Sequence, residues 1–179
     1  MQRQDGGPAP QQSEGSPPQV SERSPGSAWP GRLLFFVVAV LVVVLDRIAK
    51  LVIQAQIPLG GEVQVLPFLW LQDGQNSGAA FGIGRNATVI FAVASIAVSV
   101  GLALFAVFSR MRPWTALALG LVLGGAAGNG YDRLVHGEVT DFIALHWFPT
   151  FNLADSAVTI GVVLLLLEYV LSSRRAPSS

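Results

Sequence analysis

Four long apolar stretches, separated by segments where polar residues return, set the pattern of this chain. The first, at 33–53, reads LLFFVVAVLVVVLDRIAKLVI; the others run from about 87 to 108, 114 to 130 and 154 to 171. Each approaches the ~20 residues a helix needs to cross a hydrocarbon core of ~30 Å. The third is short and is expected to extend towards Tyr131. The expected fold class is a membrane all-α protein with four transmembrane helices.

Residues 1–31 are rich in Pro, Gly, Ser and Gln and nearly free of aliphatics, so they cannot bury enough apolar area to offset their ordering entropy. A disordered tail is expected there. It has no apolar core of its own, and the run after it ends in DRIAK rather than a small-residue cleavage site, so it does not read as a signal peptide. The expected division is a tail at 1–31, a membrane domain at 32–172 and a second tail at 173–179.

Arg110 and Arg112 fill the connection between the second and third spans. Arg174 and Arg175 follow the fourth, and Arg32 precedes the first. The two longer loops, about 54–86 and 131–153, hold only Arg85 and Arg133, with Arg47 and Lys50 near the end of the first span. This density of positive charge favours both termini in the cytoplasm. In the first outer loop, EVQVLPFLWLQ (62–72) is β-branched and aromatic with Pro67 in its middle. That predicts a short strand pair, with Phe68 and Trp70 at the membrane interface. Gly120, Gly124 and Gly128 share one face of the third span and predict a close helix approach. No internal repeat supports an inverted-repeat transporter.

Composition narrows the chemistry. The chain is 51% hydrophobic and 12% charged, about half the charged fraction of a soluble domain. Its 11 basic and 11 acidic residues create no basic field, so nucleic acid is not an expected partner. The absence of cysteine excludes disulfides, a thiolate nucleophile, Cys-ligated zinc and iron–sulfur clusters. Of the 2 histidines, His136 and His146, neither belongs to an H-E-x-x-H. The HGE at 136–138 lacks the P-C-x-x-C of a deaminase, so both histidines read as interfacial. Ser77, in QNSGAAF, has no G-x-S-x-G elbow and reads as part of a turn.

Ionisable groups in a membrane helix cost about 2.5–3.5 kcal/mol at its centre, so each needs a reason. At a rise of ~1.5 Å per residue, Asp46 lies about 20 Å along the first span and Asn129 about 22 Å along the third. Asp155 stands at the outer start of the fourth. Asp132, Arg133 and Asp141 fall just outside, and Asn76 in the other outer loop. Any one of these reads equally well as a solvated interfacial residue. Asp46, Asn129, Asp141 and Asp155 meeting at one depth favour a site near the outer surface.

Two neighbouring aspartates share a proton, because both cannot ionise easily. The charged one can take a proton from water as it attacks an amide carbon, while the protonated one donates to the carbonyl oxygen. They titrate as a coupled pair. Asp141 and Asp155, flanking the entry to the last span, suit this role. Asp132 competes, but Arg133 follows it directly and a structural ion pair with that neighbour is expected.

At these residues the chain resembles a known family. DRIAK (46–50), NSGAAFG (76–82), GNGYDR (128–133), VTDF (139–142) and FNLADSAVTIG (151–161) occur in the order and spacing of the lipoprotein signal peptidases, or signal peptidase II. The resemblance spans about 33–171. It implies Asp141 and Asp155 as the catalytic dyad, with Asp46, Asn76, Gly78, Asn129, Arg133 and Asn152 in supporting roles. Asn152 is also placed to cap the helix carrying Asp155. It further implies an aspartyl endopeptidase without metal or cofactor, in the bacterial cytoplasmic (inner) membrane with its site near the outer face. The substrate would be a diacylglyceryl-modified prolipoprotein, cut before the lipidated cysteine. A small extracytoplasmic β-cradle in the first outer loop, contact with membrane lipid, inhibition by a cyclic lipopeptide such as globomycin, and a monomeric state complete the expectation. Gly130, where the family usually has a larger apolar residue, is expected to loosen the end of the third helix. Arg47 and Thr140 also depart from the usual residues, away from the acids.

A transporter or scaffold whose acids relay protons or bind a partner is the alternative of another class. A transporter would carry polar groups across the whole membrane, whereas here only Glu168 lies near the inner end of a span. A presenilin-type protease is nearer in chemistry, but GNGYD is not G-x-G-D and four spans are too few.

Overall fold

The computed structural model describes residues 29–78 and 85–174. Residues 1–28 of the expected N-terminal tail, the NSGAAFG block beyond Gly78 and residues 175–179 lie outside the described residues, while 29–31 of that tail fall in the first helix. Helices α1 (Trp29–Gln56), α2 (Arg85–Phe108), α3 (Pro113–Val135) and α4 (Leu153–Ser173) alternate with strands β1 (Glu62–Leu66), β2 (Leu69–Asn76) and β3 (Val139–Ala144). The helices coincide with the four predicted spans and run a few residues beyond them. Pro113 opens α3 at a position where its missing N–H costs nothing. Gly137, at φ 78, follows α3 and turns the chain into β3.

The central helix is α3, packed against α1, α2 and α4. Its small residues permit this. A Cβ on Gly124 would stand 2.6 Å from Val42 Cβ and 2.7 Å from the Ala39 carbonyl of α1. On α4 the same role falls to Gly161, where a Cβ would meet the Ala118 carbonyl at 2.6 Å. The expectation for Gly130 is corrected: α3 continues to Val135 without a break. A Cβ at Gly130 would lie 2.9 Å from Ser95 Cβ, so this glycine admits α2 instead of loosening the helix.

Among the described residues, two helices are long and apolar enough to cross a membrane, Thr88–Phe108 with mean hydropathy 2.6 and Leu153–Ser173 with 1.9. They expose Val, Ile, Leu and Phe along most of their length. Such a belt is stable only against a lipid or protein surface. The other two carry a further set of polar groups: Asp46, Arg47 and Lys50 on α1, and Asn129, Asp132 and Arg133 on α3.

The strands form one antiparallel sheet in the order β1-β2-β3. The predicted strand pair at 62–72 is present, with β2 continuing to Asn76. The third strand was not predicted. VTDF, expected in a loop, lies on β3, where Gly74 faces Asp141 and Asn76 faces Val139. Pairing with β2 from far along the chain makes this short segment a strand, and local sequence does not reveal that partner.

Candidate active site

Each carboxylate of the predicted pair is set by a different element. Asp141 is held by β3 beside β2, which brings Asn76 against it: Asn76 Nδ2 donates to Asp141 Oδ2 at 2.8 Å. Asp155 occupies the third position of α4, behind the cap Asn152. The Asn152 side chain accepts from the Asp155 N–H at 2.9 Å, and Asp155 Oδ2 accepts from the Asn152 N–H at 3.1 Å. This reciprocal capping box fixes Asp155 through the helix start itself. The predicted cap is therefore present. Asn152 Nδ2 also donates to Asp141 Oδ1 at 2.7 Å, so one buried residue touches both acids.

The amide orientations follow from groups that can only donate. Asn76 Oδ1 accepts from the Gly78 N–H at 2.8 Å, with Gly78 at φ 79 in the turn. Asn129 Oδ1 accepts from Lys50 Nζ at 3.0 Å, which turns Asn129 Nδ2 to Asp155 Oδ1 at 2.7 Å. Three asparagine oxygens face fixed donors, so three NH₂ groups face carboxylates. Every oxygen of Asp141 and Asp155 thus accepts one N–H and keeps a lone pair for the cavity.

That cavity holds about 550 Å³, and Asn76, Asn129, Arg133, Asp141 and Asp155 form its polar side. Phe148, Pro149, Phe151 and Ile160 form the apolar side. The Arg133 guanidinium lies over the Phe91 ring, 5.3 Å from its centre. Burial pushes the Asp141 carboxyl above the usual carboxylate range. The Asn76 amide opposes that shift, the neighbouring Asp155 adds to it, and Asn152 and Lys50 oppose it again. Asp155 lies where the N-terminus of α4 favours negative charge.

Of the supporting residues, Asp46 does not line the cavity. Its Oδ1 accepts from the Ala154 N–H at 3.0 Å, giving α4 a second cap from another helix. The expected Asp132–Arg133 pair is corrected. Asp132 instead meets Lys50 Nζ at 2.6 Å and Arg47 Nη1 at 3.1 Å, because adjacent helical residues point to different faces. Neither histidine lines the cavity: His136 lies 3.9 Å from Asp132, and His146 stacks on Trp70 and meets Glu62 at 3.1 Å. Sequence reasoning missed Lys50, completely buried and 2.6 Å from Asp46. The available signal was an acid and a base spaced i,i+4 in an apolar helix.

The fold and the cavity define a small, mostly helical membrane enzyme whose pocket wall carries two carboxylates. A profile of the family described as Signal peptidase (SPase) II matches residues 38–171. The chain belongs to the signal peptidase II family and is an aspartic-type peptidase. A lipoprotein signal peptidase of Pseudomonas aeruginosa is 42% identical over 158 residues, covering 80% of this chain and 92% of the relative. One from Symbiobacterium thermophilum is 42% identical over 149 residues, covering 80% and 98%. Two solved structures described as bacterial membrane enzymes are similar as well. The first has a TM-score of 0.72 at 32% identity over 81% of this chain and 93% of that one. The second has a TM-score of 0.70 at 34% identity, over 75% and 91%.

Proposed function

We propose that this peptidase removes the signal peptide from diacylglyceryl-modified prolipoproteins, cutting before the lipidated cysteine, with Asp141 and Asp155 as its catalytic pair. Family membership carries the prolipoprotein substrate. The observation that carries the pair is Asn152, which bonds to both carboxylates at the wall of one cavity. In this reading Asp155 is charged and removes a proton from a water between the acids. The oxygen of that water bonds to the scissile carbonyl carbon as protonated Asp141 gives its proton to the carbonyl oxygen. In the resulting diol, a proton passes to the amide nitrogen, the C–N bond breaks, and the signal peptide leaves as a carboxylate. Asp141 suits the acid role because its burial on β3 favours the protonated carboxyl, and with an amide N–H on each oxygen its proton is left to point into the cavity.

The sign of one pH effect follows. The rate falls as pH rises through the Asp141 titration, and the Asn76 amide holds that titration down. Asn76→Ala is expected to move the alkaline limb of kcat to higher pH, while lowering its plateau. A pH profile on purified protein checks this, and a limb that stays in place or moves down counts against Asp141 as the acid.

All four helices cross the membrane in this reading, with both termini in the cytoplasm, residues 32–172 as the membrane domain and flanking segments at 1–31 and 173–179. The charges of α1 and α3 are tolerated because they face one another inside the bundle. The sheet is a cradle at the outer surface, where exposed Phe68, Trp147 and Phe148 meet lipid headgroups and can admit a substrate sideways. The same cavity is the proposed site for a cyclic lipopeptide such as globomycin, and the enzyme acts as a monomer. Because the chain has no cysteine, single-cysteine variants test the topology cleanly. His136→Cys is expected to react with an impermeant maleimide from outside the cell, and Ser109→Cys only after lysis. The reverse pattern would invert the orientation.

A further inference from the structure

Lys50 is fully buried, with 0% side-chain exposure. Its ammonium has three protons and three close acceptors: Asp46 Oδ2 at 2.6 Å, Asp132 Oδ2 at 2.6 Å and Asn129 Oδ1 at 3.0 Å. Two carboxylates more than neutralise it, and Arg47 balances the second at 3.1 Å. A buried ion cluster of this kind is weak evidence for stability, since packed apolar residues often serve as well or better. Its third bond points to another role. Asn129 Oδ1 also accepts from Asn152 Nδ2 at 3.1 Å, so donors occupy both of its lone pairs. Flipping that amide would set an NH₂ against an ammonium. Its own NH₂ is therefore held on Asp155 Oδ1 at 2.7 Å.

We propose that Lys50 is a positioning residue of the peptidase: its ammonium locks the Asn129 amide, and that amide holds Asp155 in its reactive orientation. The proposal rests on the assignment of Asp155 to the catalytic pair. Asp46, which shares the ammonium and caps Ala154, joins the same cluster to the start of α4. Lys50 thereby acts on Asp155 from α1 without touching it.

Lys50→Met alone leaves Asp46 buried without its cation, so it is made together with Asp46→Asn, which leaves Asp132 paired with Arg47 and keeps an oxygen for the Ala154 N–H. The full-length enzyme carrying Asp46→Asn is the reference, and its kcat, KM and thermal midpoint are measured with a diacylglyceryl-modified prolipoprotein. Adding Lys50→Met is expected to lower kcat on the order of 100-fold, the scale of a misplaced reacting group. KM should stay within about twofold, because the lost contact orients Asp155 and not the substrate. Lys50→Gln, which retains an N–H for Asn129, is expected to recover at least about tenfold of that loss. Asn129→Ala should cost no more with Lys50→Met present than without it, since both remove one linkage. Multiplying losses, equal rates for the Met and Gln variants, or an unchanged kcat would overturn the proposal. A charge-balanced variant that fails to fold would make Lys50 a structural ion and overturn it too. Asp155→Asn in the same background separates the two claims: if it stays active, the pair assignment fails, whatever Lys50 does.

Discussion

Asp155→Asn is expected to lower kcat for prolipoprotein cleavage on the order of 10⁴-fold or more, the scale seen when one member of a concerted catalytic set is removed. The substitution takes away the only base at that position of the cavity wall and keeps the shape of the side chain. Asp155 has two amide partners, Asn129 Nδ2 and the Asn152 N–H. An asparagine oxygen can still accept one of them, while its NH₂ meets a donor at the other. The structural cost is therefore about one hydrogen bond, on the order of 1 kcal/mol, and the variant should insert and fold. Asp141→Asn should give a similar loss of activity, since it removes the proposed acid while Asn76 and Asn152 remain on either side. Steady-state rates beside thermal midpoints in detergent check both variants. Substantial activity in a folded Asp155→Asn protein would remove that residue from the chemistry.

Asn152→Ala comes second in expected size. It removes a helix cap worth about 0.5–2 kcal/mol and the amide that touches Asp141 at 2.7 Å. A kcat loss of about 10²–10³-fold is expected, the usual effect of deleting an oriented donor from an active site. Asn152→Ser separates the two contributions. Serine caps α4 as well as asparagine does, but its hydroxyl is too short to serve both the Asp155 N–H and the Asp141 carboxylate. The thermal midpoint should return close to wild type while kcat stays low. If Asn152→Ser restored activity along with stability, Asn152 would be a cap alone and the two acids would need another link.

Much of this site was legible because its chemistry runs against its surroundings. Asp46, Asn129 and Asp155 in apolar helices each require a partner, and Asn152 followed by Asp155 reads directly as a helix start. The helices were legible for the same reason: long Leu and Val runs leave little choice but hydrocarbon or a protein core. What was not legible depends on tertiary register. β3 forms because β2 lies beside it, and six residues with one charged position do not announce that pairing. The partner of Asp132 is a lysine on another helix, and proximity in sequence favoured Arg133 instead. Lys50 looked like an ordinary charge near the end of a span until its three acceptors came from two helices. Gly130 was read by propensity, whereas its position against Ser95 of α2 decides its role.

The function proposed for this peptidase is cleavage of a lipid-modified precursor by two aspartates in one cavity. The most direct measurement is mass spectrometry of the products when purified wild type and the Asp141→Asn/Asp155→Asn double variant meet a diacylglyceryl-modified prolipoprotein in proteoliposomes, with the unmodified precursor alongside. Wild type is expected to release signal peptide from the modified precursor alone and to leave the lipidated cysteine as the new N-terminus, while the double variant releases none. Signal peptide from the double variant, or cleavage by wild type of the unmodified precursor only, would contradict the proposed function.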